Sequence, residues 1–334
     1  MQTSLYAQHV KLNAKIIPFA GWDMPLYYTG IFQEVAAVRN QVGLFDVSHM
    51  GRITITGSNA LQFLDYLSTN TVLDKPLGKA FYTIFCNKEG YPLDDLLVYL
   101  IDSNQLFIVV NASNREKIFQ HLNVEGAKFK VEIKPHFDEG ILSLQGPKSP
   151  ALIKDYPPLS PFQILFHHDM IISRTGYTGE EGYEFYGKSS QIKALWDLLI
   201  REAQPCGLGA RDVLRLEKGY ALYGHELNKS IYPTESVAKR FVKMHHQFLG
   251  KEALEKVPVL RYPVFLSGLE KIPAREGYLI FYKRENIGFV TSGTFSPTFK
   301  QPIALGLINE PLNDNSEVEV LIRSNYYPFL TRRI

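Results

Sequence analysis

The stretch Gly90-Tyr91-Pro92-Leu93-Asp94-Asp95-Leu96-Leu97-Val98-Tyr99-Leu100 constrains the fold most tightly. Gly90 and Pro92 mark a turn. The apolar run after it has strand length and is broken by two adjacent carboxylates. Side chains alternate along a strand, so Asp95 shares a face with Leu93, Leu97 and Tyr99. Asp94 shares the other with Leu96, Val98 and Leu100. Both faces are apolar, which predicts a strand buried on both sides. A buried carboxylate needs partners or shifts its pKa. The residues alone leave two readings open: an aspartate bonded to neighbouring backbone, or a functional acid.

The 334 residues, 45% of them hydrophobic, suffice for two or three domains and a sizeable core. A net charge of +2 excludes general attraction to nucleic acid. Cys86 and Cys206 are far apart, without metal-ligand spacing, which fits a reducing compartment. No segment reads as a signal peptide or a membrane span, so a soluble, cytoplasmic protein is expected.

The opening through Pro25 reads as irregular. Helices are expected over 31–38, 60–67 and 191–203, the last with Ile192, Leu195, Trp196 and Leu199 on one face. Strands are expected over 52–56, 81–85, 93–101, 106–110, 128–133 and 141–145. Ser113 and Glu116 suggest a capping box. Strands dominate again after Tyr262. Short antiparallel-type strands with interspersed helices indicate an α+β chain rather than a doubly wound sheet.

Several motifs are excluded. Ser48-His49 lacks an acid to orient the imidazole, and neighbours on a strand point apart. Gly207-Leu208-Gly209-Ala210-Arg211-Asp212 lacks the third glycine of a dinucleotide fingerprint and follows an expected helix. It reads as a helix start that puts Arg211 and Arg215 one turn apart. The paired histidines, His167-His168 and His245-His246, diverge and do not suit one metal. Lys239, Arg240 and Lys243 read as a solvated basic face.

In combination the motifs go further. In order they are FAGWDMP (19–25), GLFDVSHMG (43–51), Asp94-Asp95-Leu96, VNASN (110–114), LQGPK (144–148), RTGYTGEEGYE (174–184), GLGARDVLRLE (207–217), YGHEL (223–227), FLGKEAL (248–254) and TSGTFSP (291–297). This series resembles the aminomethyltransferase family, the T-protein of the glycine cleavage system. The resemblance implies a three-domain cloverleaf around a central folate site, with a strand-rich C-terminal barrel. The implied divisions are 1–53 with 139–228, 54–138 with 229–262, and 263–334.

The resemblance also implies a reaction. An aminomethyl group on the lipoyl arm of H-protein passes its carbon to tetrahydrofolate, releasing ammonia and leaving dihydrolipoyl protein. Asp95 matches the family's functional aspartate, and Glu184 its pterin-binding glutamate. Arg211, Tyr82, Tyr99 and Tyr177 match positions around the folate. No metal, flavin or nucleotide is implied, nor any nucleic acid or membrane partner. Tyr91 replaces the second of two family glycines, and Val237-Ala238-Lys239-Arg240 stands where a Gly-Leu-x-Trp run is usual. The alternatives are a one-carbon acceptor of demethylase type and a folate-binding paralogue without catalysis. An iron–sulfur-assembly relative would carry a cysteine that Lys218-Gly219-Tyr220-Ala221 lacks.

Overall fold

The structure, a computed structural model, describes residues 1–334. The chain divides into two compact units, 1–83 with 96–212 and 84–95 with 213–334. Helices and largely antiparallel strands alternate irregularly, as an α+β chain requires.

A six-stranded sheet runs in the order Ile164–His167, Met170–Ser173, Gly182–Gly187, Gly140–Gln145, Gly43–Asp46, Gln204–Cys206. Only the last pair is parallel. Helix Ser189–Leu199 lays Ile192, Leu195, Trp196 and Leu199 into the core against Leu142, Leu144 and Phe185. It stops short of the expected 203 because Gln204, which precedes Pro205, must be extended to pair with Val42.

A second sheet, in five strands, runs Ala80–Cys86, Pro92–Leu100, Gln105–Val110, Gly51–Thr56, Glu132–Pro135. The expected strands fall within a residue of these, except the last. Residues 128–131 are not strand: Lys128 and Phe129 bond back to the end of helix Arg115–Gly126, and Lys130 turns left-handed at φ 56°. The capping box does not form either. Ser113 lies inside the 3-10 turn Ala112–Asn114, and Asn114 precedes the helix without a side-chain cap.

The opening, expected to be irregular, is helix Tyr6–Lys11 followed by a hairpin of Lys15–Phe19 with Trp22–Tyr27. Ala20 and Gly21 supply its turn at φ 48° and 80°, the left-handed pair that matches strand twist. A short strand, Gln204–Cys206, and not a helix, precedes the Gly207 motif. A Cβ at Gly207 would strike the backbone of Leu26, and the Gly207 amide donates to Glu34 at 2.9 Å. The glycine there serves close packing.

The second unit holds a closed six-stranded barrel. Its order is Tyr262–Gly268, Gln301–Ile308, Glu285–Ser296, Leu279–Tyr282, Glu317–Ile322, Asn325–Arg333 and back to the first. Closure leaves no free sheet edge in this element. No helix of the chain is long and apolar enough to cross a membrane.

Candidate functional site

The carboxylate strand Pro92–Leu100 follows a tight turn that belongs with its first residues to the second unit. Gly90 sits at φ 82°, a conformation that side chains oppose. Asn87 closes the turn: its amide donates to the Tyr91 carbonyl at 2.9 Å, and its Oδ1 accepts from the Tyr91 amide at 2.8 Å. The Tyr91 ring stacks on Tyr232 at 4.3 Å, so its bulk is absorbed by packing. The Tyr223 hydroxyl donates to the Pro92 carbonyl at 3.3 Å.

Asp94 is fully buried and Asp95 9% exposed. Leu96, Val98 and Leu100 beside Asp94 are buried, whereas Leu93 and Leu97 beside Asp95 are only half-buried. Asp95 therefore lies on the more open face. Burial, reinforced by the charges of Asp94 and Asp95, pushes the Tyr223 phenol up to about 12. Tyr223 thus stays a neutral hydroxyl beside both acids.

The other acid centre lies in the first unit. Glu184 is paired with Ser143 on one side and Ser173 on the other. Its Oε2 accepts hydrogen bonds from Thr175 Oγ1 at 2.5 Å and from the Tyr186 hydroxyl at 2.9 Å. Behind these stand Ser173 Oγ, 2.6 Å from Thr175 Oγ1, and the Tyr99 hydroxyl, 2.5 Å from that of Tyr186. Burial first, then the Glu184 charge, drives the Tyr186 phenol well above its ordinary range.

Arg211, on helix Leu208–Glu217, brings a cation to the same region. Its guanidinium lies over the Tyr177 ring at 5.2 Å and reaches Met50 Sδ at 3.5 Å. Crowding by protein lowers its pKa, and the charge of Glu184 is the leading opposing effect. A carboxylate, a guanidinium and an aromatic face can together hold a planar heterocycle with N–H donors and an acidic tail.

The first unit thus gathers Tyr99, Tyr177, Glu184 and Arg211, while Asp95 groups with Asp94 and Tyr223 in the second. Tyr82 is half-buried on strand Ala80–Cys86, where its carbonyl accepts from Asn70 Nδ2 at 2.9 Å. Sequence reading missed Tyr186, Thr175 and Tyr223. The period-two rule applied from Glu184 would have reached Tyr186. Thr175 lay inside a quoted motif but carried no sign of its partner.

Ser48 is no nucleophile. Its Oγ donates to the Ile141 carbonyl at 3.3 Å and accepts from the Ile141 amide at 2.9 Å. Cys86 and Cys206 are buried, and burial raises both thiols.

Comparison with known proteins covers nearly all of this architecture. The family model described as the GCVT N-terminal domain matches residues 5–246. That of the glycine cleavage T-protein C-terminal barrel domain matches residues 264–330. The aminomethyltransferase of Pseudothermotoga lettingae is 40% identical over 341 residues, covering 97% of this chain and 94% of that protein. The aminomethyltransferase of Aquifex aeolicus is 40% identical over 342 residues, covering 99% and 96%. The crystal structure of glycine cleavage system aminomethyltransferase T from Bartonella henselae superposes with a TM-score of 0.94 at 31% identity, covering 100% of this chain and 97% of that one.

Proposed function

The chain belongs to the glycine cleavage T-protein family of aminomethyltransferases, and on that premise we propose that Glu184, Arg211 and Tyr177 hold tetrahydrofolate while Asp95 serves the reacting carbon. Its activity is aminomethyl transfer. The observation that supports the assignment best is the ordering of Glu184 by two hydroxyls beside a half-buried arginine. An aminopyrimidinone edge presents neighbouring N–H donors, which a fixed carboxylate accepts. Tyr99, buried behind Tyr186, supports this group, and Tyr82 completes the proposed pocket.

Folate, when bound, supplies the nitrogens that accept the carbon. The chain's own task lies with the donor, an aminomethyl group carried on the lipoyl sulfur of H-protein in the cytoplasm. As that carbon–sulfur bond breaks, positive charge grows on the carbon. A carboxylate held rigidly beside it stabilises that charge without reorganising. Asp95 has the required setting: a strand position, a turn locked by Asn87 and Tyr91, and the half-open face. The mechanism asks for no covalent nucleophile on the enzyme.

The test measures ammonia and methylenetetrahydrofolate from purified protein, tetrahydrofolate and aminomethyl-loaded H-protein. Asp95→Asn is expected to lower turnover by roughly a hundredfold or more with folate still bound. Glu184→Ala is expected to weaken folate binding by about tenfold or more. Normal turnover in Asp95→Asn would sink the catalytic assignment. Folate binding by a wild-type protein that does not turn over would favour the non-catalytic paralogue.

A further inference from the structure

We propose that Tyr186 is a positioning residue that sets affinity for the pterin by filling one oxygen of Glu184. The inference rests on the reading of Glu184 as the pterin-binding acid.

Hydroxyl arithmetic fixes the direction of the chain. A hydroxyl has one hydrogen to give. Tyr186 gives its own to Glu184 Oε2, so Tyr99 must be the donor in the 2.5 Å contact between the two phenols. Thr175 likewise gives its hydrogen to Oε2, so Ser173 must donate to Thr175. Both donors to that oxygen are thus backed by a further hydroxyl, Tyr99 behind Tyr186 and Ser173 behind Thr175, and Ser173 also bonds to the two phenols, so the four form one cluster.

An oxygen of a carboxylate offers about two acceptor sites. Both sites of Oε2 are taken by Thr175 and Tyr186, whereas Oε1 accepts no hydrogen bond within the chain. The neighbouring N–H donors of the pterin are thereby directed to Oε1 alone, not to a fork across both oxygens. Tyr186 also fixes the plane of the carboxylate, because its own ring cannot swing. It meets Tyr99 edge-on at 5.3 Å and Phe107 at 5.5 Å, and those two meet each other at 5.6 Å.

A buried phenol that merely needs an acceptor would make the same bond, so the test must separate the two roles. The measurement is the Kd for tetrahydrofolate across a double-mutant cycle of Tyr186→Phe and Glu184→Gln, with kcat at saturating folate measured in parallel. Tyr186→Phe is expected to raise Kd about tenfold and leave kcat unchanged. In the Glu184→Gln background the same change is expected to have little further effect. Equal losses in both backgrounds, or wild-type affinity in Tyr186→Phe, overturn the inference while leaving Glu184 in place. Wild-type affinity in Glu184→Gln overturns the pterin assignment and this inference with it. Should Tyr186→Phe fail to fold, Tyr99→Phe removes the donor behind Tyr186, and the same cycle with Glu184→Gln is expected to show the same coupling at smaller size.

Discussion

His49 shows what burial does to one side chain beside a cationic group. It is buried, edge-on to Phe19 at 5.6 Å. Burial above all, then the charges of Arg211 and Arg52, push the imidazole down to about 3, with Asp46 pulling the other way. The folded pKa lies below the unfolded one, near 6.5, so the unfolded chain takes up a proton that the native chain refuses. Below that pH, native stability is expected to fall by up to about 1.4 kcal/mol per pH unit from this group. Urea denaturation between pH 7 and 4 checks it: His49→Gln is expected to flatten the slope, and an unchanged slope would contradict it. Legibility at this scale was uneven. Asp95 stood out because two acids interrupt an apolar run, and Glu184 because a motif carried it. His49 looked like half of a doubtful pair, since the burial that chiefly lowers its pKa, and the Arg211 charge that adds to it, come from residues no local pattern reveals.

The three glycines of the motif that ends at Glu184 were visible in the sequence, but the reason for them was not. It comes from Gln145, which is fully buried on a neighbouring strand. The Gln145 amide donates to Ser143 Oγ at 3.0 Å and to the Thr175 carbonyl at 3.1 Å, and its oxygen accepts from Thr178 Oγ1 at 2.9 Å. The turn is wrapped round that amide so closely that a Cβ at Gly176 or Gly182 would run into it. Gly182→Ala is therefore expected to cost about 2 kcal/mol by overpacking. Gln145→Ala is expected to cost a similar amount in lost hydrogen bonds. Together they are expected to cost clearly less than the sum, because removing the amide removes the clash. Denaturant unfolding of the four proteins decides it, and additive losses would exclude Gln145 as the reason for the glycine. Amphipathic helices and alternating strands were legible because their signal is local. Gln145 was not, because its contacts cross between strands.

For the whole chain, the strand-rich character after Tyr262 was foreseeable, but barrel closure rests on a register no local pattern encodes. Residues 264–268 pair with 329–333, from opposite ends of the domain. Two blocks that sequence reading could only quote find their use in the same unit. Arg215 and Glu226 form a buried ion pair at 2.9 Å, and Thr291 and Ser292 of the barrel bond to its two members. Glu217 accepts from Ser296 and Thr298. A buried pair that would be costly to break thus ties YGHEL to TSGTFSP. The two compact units cut across the three expected divisions, since 84–95 and 213–262 fall with the barrel, and we propose a further boundary near 262. Residues 257–261 lie outside regular structure between helix Lys251–Lys256 and the first barrel strand, and Val259 and Leu260 are exposed. Exposed irregular backbone is where proteases enter a folded chain. Trypsin at low ratio is expected to cut first after Lys256, giving a barrel fragment that begins at Val257. Lys251, buried within the same helix, is expected to resist. A first cut inside the barrel, or fraying at many sites at once, would remove 262 as a domain boundary.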